Sequence, residues 1–288
     1  GDHRDLHSFP TRRSSDLIIT VRPAAGAIGA EISGVDLSAP MDDALFAEIR
    51  QAFLDHVVVF FRGQIISPAD HVAFTERFGA LEPHPLGSRR GLDDHPEVMV
   101  LENRPGKLGP RNDFWHSDIS FAERPPALSM LYAIDVTEGP ADTMFCNMYA
   151  AYESLSETLR GVLDGLDAIH DADILVNEVP SRVAATEVPP GIAHPVVRTH
   201  PESGRKALYV NPYFTRRFNG MTVEESLPLL EYLYKHATRH ENIYRHSWRV
   251  GDVLMWDNRC AMHYAVRDYD ENLVRFLHRT TAAGDRPG

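Results

Sequence analysis

The chain has 288 residues, 43% of them hydrophobic, and a formal net charge of −12. That length suits one large domain with a substantial core, and the acidic balance argues against a general binder of nucleic acid or of an anionic membrane surface. Two cysteines far apart, Cys146 and Cys260, argue against a disulfide framework or a cysteine-rich zinc site. No apolar run approaches the ~18 residues of a membrane span, so a cytoplasmic location is expected.

Residues 1–17 (GDHRDLHSFPTRRSSDL) mix charge, serine and proline without periodicity. They lack the apolar stretch of a signal peptide and resemble a translated cloning or sequencing adaptor. A non-native or disordered segment is expected there, followed by a single domain over residues 18–288. Strands are predicted over 18–21 and 27–32. Asp42 or Asp43 can cap a helix to about residue 54, with Leu45, Ile49 and Phe53 on one face. The apolar run 57–61 reads as a buried strand, and Pro68 opens a second helix to about 78. Further strands are expected over 96–102, 115–121, 128–136 and 143–148, then one long helix over 151–166. Residues 171–193, rich in Val, Pro and Glu without a clear period, read as a lid loop. The segments 195–199 and 205–210 flank the turn HPESG and predict a hairpin. Thr222, with Glu225 three residues on, caps a helix to 239 striped by Leu227, Leu230, Leu233 and Tyr234. Strands over 244–250, 252–256 and 274–281 close the chain. The pattern is mainly β with helical decorations, a sandwich or barrel.

Within FWHSDISF, a strand would project His116 and Asp118 to one face. One imidazole and one carboxylate side by side form two-thirds of the two-His-one-carboxylate set that holds iron(II) in oxygenases with positions left open. A second histidine must come from elsewhere, and His263 in WDNRCAMH is the best candidate. The pair alone is weak. His3-x-Asp5 and His200-x-Glu202 repeat it, the second in a hairpin turn where Pro201 and Glu202 are ordinary solvent-facing residues. Near the C-terminus, Arg275, Leu277 and Arg279 share a strand face. Two buried cations need anionic partners, either Asp or Glu side chains or two anionic ligands held by guanidinium forks.

The segments WHSDISF, ADT at 141–143, WDNRCAMHYAVRDY and RFLHRTTAAGD, with GVDL at 34–37 and THPESGRKALYVN, resemble the taurine dioxygenase and phenoxyacetate-herbicide dioxygenase family from about residue 27 to 287. The resemblance implies a double-stranded β-helix (jelly-roll) core and an Fe(II)- and 2-oxoglutarate-dependent dioxygenase. His116, Asp118 and His263 would be the catalytic metal ligands. Arg275 and Thr143 would bind the distal carboxylate of 2-oxoglutarate, and O2 would be the second cosubstrate. Arg279 would grip the anionic group of the substrate, with His84, Asn112 and Phe214 lining its pocket. Family members are often dimers or tetramers.

Three departures bear on the substrate. Pro140-Ala141 stands where the family has Gly-Gly. Gly87 stands where the taurine enzyme has a tyrosine, and Leu175-Val176 where it has Ser-Phe. The loss of a phenol and a hydroxyl makes taurine itself less suited than an alkyl sulfonate, alkyl sulfate or aryloxyalkanoate. Such a substrate would be hydroxylated next to its heteroatom group, and the product can collapse to release sulfite, sulfate or a phenol. Two other readings are a metal-dependent hydrolase on a similar fold and a non-catalytic jelly-roll binding module. Neither has a use for three convergent ligands followed by an anion-binding Arg275.

Overall fold

A computed structural model describes residues 19–82, 91–106, 112–178, 190–269 and 272–288. The expected non-native segment, residues 1–17, lies outside them. The strands are β1 Thr20–Pro23, β2 Ala30–Ser33, β3 Val58–Phe61, β4 Met99–Asn103, β5 Leu128–Val136, β6 Thr143–Asn147, β7 Asp167–His170, β8 Ile192–Pro195, β9 Val197–Thr199, β10 Lys206–Leu208, β11 Thr215–Phe218, β12 Ile243–His246, β13 Val253–Asp257, β14 Ala261–Ala265 and β15 Arg275–Ala282. The helices are α1 Asp43–His56, α2 Pro68–Glu76, α3 Met148–Glu153, α4 Glu157–Leu163, α5 Asp173–Glu178 and α6 Val223–Ala237.

A seven-stranded sheet runs β1-β2-β3-β13-β5-β15-β4, and a three-stranded sheet runs β12-β6-β14. All pairings are antiparallel except β2 with β3. The largest core cluster takes Leu131, Leu254, Trp256 and Leu277 from the first sheet and Phe145, Tyr244 and Met262 from the second. In the large sheet these come from alternate strand positions, while β6 and β14 of the small sheet bury neighbouring ones, Phe145 with Cys146 and Ala261 with Met262. A second cluster packs α1 and α2, through Ile49, Phe53 and Phe74, on the other side of the large sheet, against Val59, Phe61, Met130 and Met255. The chain is mostly β with few helices.

Local chemistry sets the helix ends. Asp42 caps α1 through Leu45 N. Ser67 with Asp70, and Thr222 with Glu225, form reciprocal capping boxes at α2 and α6. Four expectations need correction. Residues 115–121 do not form a strand: one bridge pairs His116 with His263, and the chain then turns through Ile119 at φ 50. The expected single helix over 151–166 is two short ones, because the Ser156 side chain accepts from Leu159 N and starts α4 afresh. The expected loop over 171–193 contains α5 and the start of β8, and residues 179–189 lie outside the described set. On α6, Leu230 and Leu233 are buried while Leu227 is exposed, so the apolar stripe is narrower than its spacing suggested.

Two fully buried histidines lie within this framework. His71 Nε2 meets Thr280 Oγ1 at 3.0 Å, and His170 Nδ1 meets Ser120 Oγ at 3.1 Å. Burial pushes both pKa values down to about 3. The folded value lies below that of the unfolded chain, near 6.5, so the unfolded state binds more protons as pH falls. Stability present above about pH 6.5 is therefore lost between there and about pH 3, by roughly 2 kcal/mol per histidine at pH 5. Urea denaturation at pH 7 and pH 5 tests this. Equal unfolding free energies would sink it, and His71→Gln should flatten the slope.

Candidate active site

Three ligand-type side chains converge where the small sheet meets the turn after His116. His263 sits in the middle of β14, opposite Phe145 of β6. Reciprocal backbone bonds of 3.0 and 2.8 Å tie it to His116. Asp118 Oδ1 lies 3.8 Å from His116 Nε2 and 3.7 Å from His263 Nε2. The two residues expected to share a strand face do point to one side, but the turn achieves this. The Asp118 N–H reaches Asn258 Oδ1 at 3.4 Å, and Ser117 Oγ donates to the Ala261 carbonyl at 2.8 Å. The next residue, β-branched Ile119, is held in the left-handed region that side chains of its kind rarely adopt.

The protonation pattern suits a metal. The Phe114 carbonyl, 2.9 Å from His116 Nδ1, can only accept. The His116 proton is therefore on Nδ1, and Nε2 offers a lone pair. Burial lowers the pKa of both imidazoles, that of His263 well below its ordinary value. Burial also works to raise the Asp118 pKa, but the Arg279 guanidinium and both imidazoles outweigh it, and the carboxyl stays ionised. Asp118 Oδ2 is fixed by Arg279 Nη2 at 2.7 Å and by the Ser129 hydroxyl at 2.7 Å, which leaves Oδ1 for an ion. Ligand atoms about 2.1 Å from a shared ion stand roughly 3.0–3.5 Å apart. The observed spacings of 3.7 and 3.8 Å are longer by roughly 0.2–0.8 Å, and the two nitrogens and one oxygen are the donor set of iron(II).

Ser129 and Asn258 had no assigned role in the sequence. The Ser129 hydroxyl donates to Asp118 and accepts from Asn258 Nδ2 at 3.1 Å and Arg279 Nη2 at 2.9 Å. Asn258 Oδ1 also accepts from Trp256 Nε1 at 2.8 Å. The available signals were one hydroxyl in the apolar run LSMLYAIDV and the asparagine of WDNR.

The two arginines of β15 part company. Arg279 is buried and has a carboxylate partner in Asp118. Arg275 is half-buried and has no carboxylate partner among the described residues. It lines an open pocket with Asn112, Ala265, Tyr269, Arg267 and the acidic residues Glu102 and Asp113. Thr143 is buried and pairs in register with Ala265 of that pocket. Its Oγ1 accepts from Trp248 Nε1 at 3.0 Å, so its own proton is unspent.

Asn112 is brought to the Arg275 pocket, where its carbonyl accepts from Ala265 N at 3.0 Å. Phe214 is not part of that pocket's lining, and its ring lies 6.4 Å from that of His116. It belongs to an apolar cluster with Ile119, Phe121 and Tyr213, packed by Phe114, Ile174 and Leu175. Phe114 stacks on Tyr213 with ring centres 3.4 Å apart. His84 lies outside the described residues.

A second group, His200, Asp257 and Cys260, also has metal-ligand spacing. His200 is buried, while Pro201 and Glu202 of its turn are exposed, as expected of them. Its Nδ1 accepts from the backbone N–H groups of Glu202 and Ser203 at 3.2 and 3.1 Å. The ring proton is therefore on Nε2 and donates to Asp257 Oδ2 at 3.0 Å. No lone pair remains for an ion, and this group is a structural ion-pair network.

A buried pair of neutral imidazoles with one carboxylate is the ligand set of non-haem iron oxygenase sites. Residues 20–281 match the family model described as taurine catabolism dioxygenase TauD, TfdA family, and the chain belongs to that family of 2-oxoglutarate-dependent dioxygenases. It is 36% identical over 282 residues to an alpha-ketoglutarate-dependent sulfate ester dioxygenase of Pseudomonas putida, covering 94% of this chain and 91% of the relative. It is 34% identical over 284 residues to the alpha-ketoglutarate-dependent 2,4-dichlorophenoxyacetate dioxygenase of Cupriavidus pinatubonensis, covering 93% and 98%. Among solved structures, a taurine dioxygenase from Burkholderia xenovorans superimposes with a TM-score of 0.81 at 38% identity, covering 94% and 92%. AAD-2 in complex with Mn(II) and N-oxalylglycine gives 0.78 at 30% identity, covering 93% and 98%. Among the described residues, no helix is long and apolar enough to cross a membrane.

Proposed function

We propose that His116, Asp118 and His263 hold iron(II), and that Arg275 and Thr143 anchor the far carboxylate of 2-oxoglutarate. The large sheet and the β12-β6-β14 sheet would form the two walls of a double-stranded β-helix within a single domain over residues 18–288. The observation that carries this reading is the convergence of two neutral imidazoles and an ionised carboxylate, with Arg275, which pairs with no carboxylate among the described residues, in the pocket that Ala265 lines two residues after His263. Iron(II) with 2-oxoglutarate and O2 supplies oxidative decarboxylation and the insertion of one oxygen atom into a C–H bond. The chain's own residues do the rest. His116 and His263 present lone pairs, while Ser129 and Arg279 fix the carboxylate. Arg275 and the Thr143 hydroxyl orient the dicarboxylate, and the aromatic cluster keeps water from the reacting carbon.

The substrate we propose is a small organic monoanion with an apolar body, an alkyl sulfate, alkyl sulfonate or aryloxyalkanoate. It would be hydroxylated beside its heteroatom group. Supporting this are the apolar surface of Phe114, Tyr213, Phe214 and Leu175 and the likeness to a sulfate ester dioxygenase and a 2,4-dichlorophenoxyacetate dioxygenase. Arg279 commits Nη2 to Asp118 and Ser129. Its Nε has no hydrogen-bond partner among the described residues, so an unspent edge of the guanidinium would meet the substrate anion. His84 would complete the pocket. Anaerobic addition of Fe(II) and 2-oxoglutarate should give a weak visible charge-transfer band. A panel of anions scored by succinate formation in air should favour the apolar members over taurine. No band and no succinate would overturn the metal assignment, and a preference for taurine would overturn the substrate assignment alone.

A further inference from the structure

Trp248 follows β12, is 2% exposed, and lies outside every motif singled out in the sequence. It touches both residues assigned above to 2-oxoglutarate. Its indole N–H donates to Thr143 Oγ1 at 3.0 Å, and the Arg275 guanidinium carbon lies 5.8 Å from the centre of its ring. The indole is itself held: His246 packs edge-on at 4.8 Å, with Asp252 at 3.1 Å on one imidazole nitrogen and the Tyr244 hydroxyl at 2.9 Å on the other.

A threonine hydroxyl has one proton and two lone pairs. With an indole N–H on one lone pair, the proton cannot rotate into that direction. No other hydrogen bond to this hydroxyl exists among the described residues, so the proton is left for a ligand. An arginine over the face of an indole is likewise restrained by the ring quadrupole, and among the described residues Arg275 has an orphaned Nε and no carboxylate hydrogen-bonded to it. We propose that Trp248 is a positioning residue that sets the donor directions of Thr143 and Arg275 for the distal carboxylate of 2-oxoglutarate. The proposal rests on the cosubstrate reading above and goes beyond it by assigning the orientation of both groups to one indole.

Trp248→Phe keeps an aromatic ring and removes the N–H. Its KM for 2-oxoglutarate should rise about ten-fold, the loss of one well-aligned hydrogen bond, with kcat and the organic substrate's KM changed less than about two-fold. The affinity of Mn(II)-loaded protein for 2-oxoglutarate, measured by calorimetry, should fall in parallel. The Trp248→Phe/Thr143→Val double variant should bind no worse than Thr143→Val alone, because the indole then has no hydroxyl to orient. Wild-type affinity in Trp248→Phe, losses that multiply, or a fall in kcat at constant KM would each overturn the proposal. Should Trp248→Phe fail to fold, 5-fluorotryptophan-labelled wild-type protein gives the second measurement, with Trp248 assigned by elimination using Trp115→Phe and Trp256→Phe. Its fluorine resonance must move when 2-oxoglutarate is added to zinc-loaded protein, and an unmoved signal overturns the proposal. If the wild type does not bind 2-oxoglutarate at all, the cosubstrate reading fails. If it binds and the variant binds equally, only the role of Trp248 fails.

Discussion

Asp118→Ala should bring 2-oxoglutarate turnover to background and lower unfolding stability by about 3 kcal/mol or more. The two losses have different origins. Turnover falls because two imidazoles alone do not make the facial set that holds iron(II). Stability falls because Arg279 is buried and its carboxylate partner is Asp118, and removing one member of a buried ion pair typically costs about 3–5 kcal/mol. The Ser129 hydroxyl also loses its acceptor. Adding Arg279→Met separates the effects. The double variant should recover much of the stability and none of the turnover, a non-additivity expected only of partners in contact. Urea denaturation and succinate assays measure the two arms. Undiminished turnover in Asp118→Ala would falsify the ligand assignment.

The second large effect lies away from the triad. Arg259→Met should destabilise the fold by about 3–5 kcal/mol while leaving metal stoichiometry at one ion per chain. Asp257 is 1% exposed. Burial works to raise its pKa, but Arg259 and His200 outweigh it and hold the carboxyl well below the usual range. Arg259 Nε and Nη2 reach its two oxygens at 2.9 and 2.7 Å, and Nη1 reaches Glu202 at 2.7 Å. Methionine strands that carboxylate with only His200 and the Arg259 backbone N–H beside it. The turn it ties leads directly into β14 and His263, so the metal affinity of the folded fraction should weaken as well. Zinc or iron bound at two sites per wild-type chain would show that His200, Asp257 and Cys260 form a metal site after all.

Much of this architecture is legible in the residues because the signals are local. Both capping boxes lie within four residues, and the apolar run at β3 is buried on both faces, as its composition says. The hairpin around HPESG follows from its turn residues. The parts that were not legible depend on distant partners. β14 reads AMHYA, with no alternation, and is a strand because β6 lies beside it. The segment 115–121 alternates like a strand, yet only His116 finds a partner edge, and Asn258 and Ala261 pull the following residues into a turn. The break between α3 and α4 turns on a single capping serine. In the candidate site, His116, Asp118 and His263 were readable as residue types at suggestive spacing. Ser129, Asn258 and Trp248 were not, because a lone hydroxyl, amide or indole acquires a role only from what folding brings against it.

The salt bridge between Arg279 and Asp118 has an electrostatic consequence for what the cavity accepts. The negative charge of the carboxylate is already matched, so a divalent ion bound there with two neutral imidazoles keeps its full excess of two positive charges. The pocket beside it sets Arg275 and Arg267 against Glu102 and Asp113, a formal sum of zero. The excess charge of the ion is therefore what draws anionic guests into the cavity, and charge selects among them before shape does.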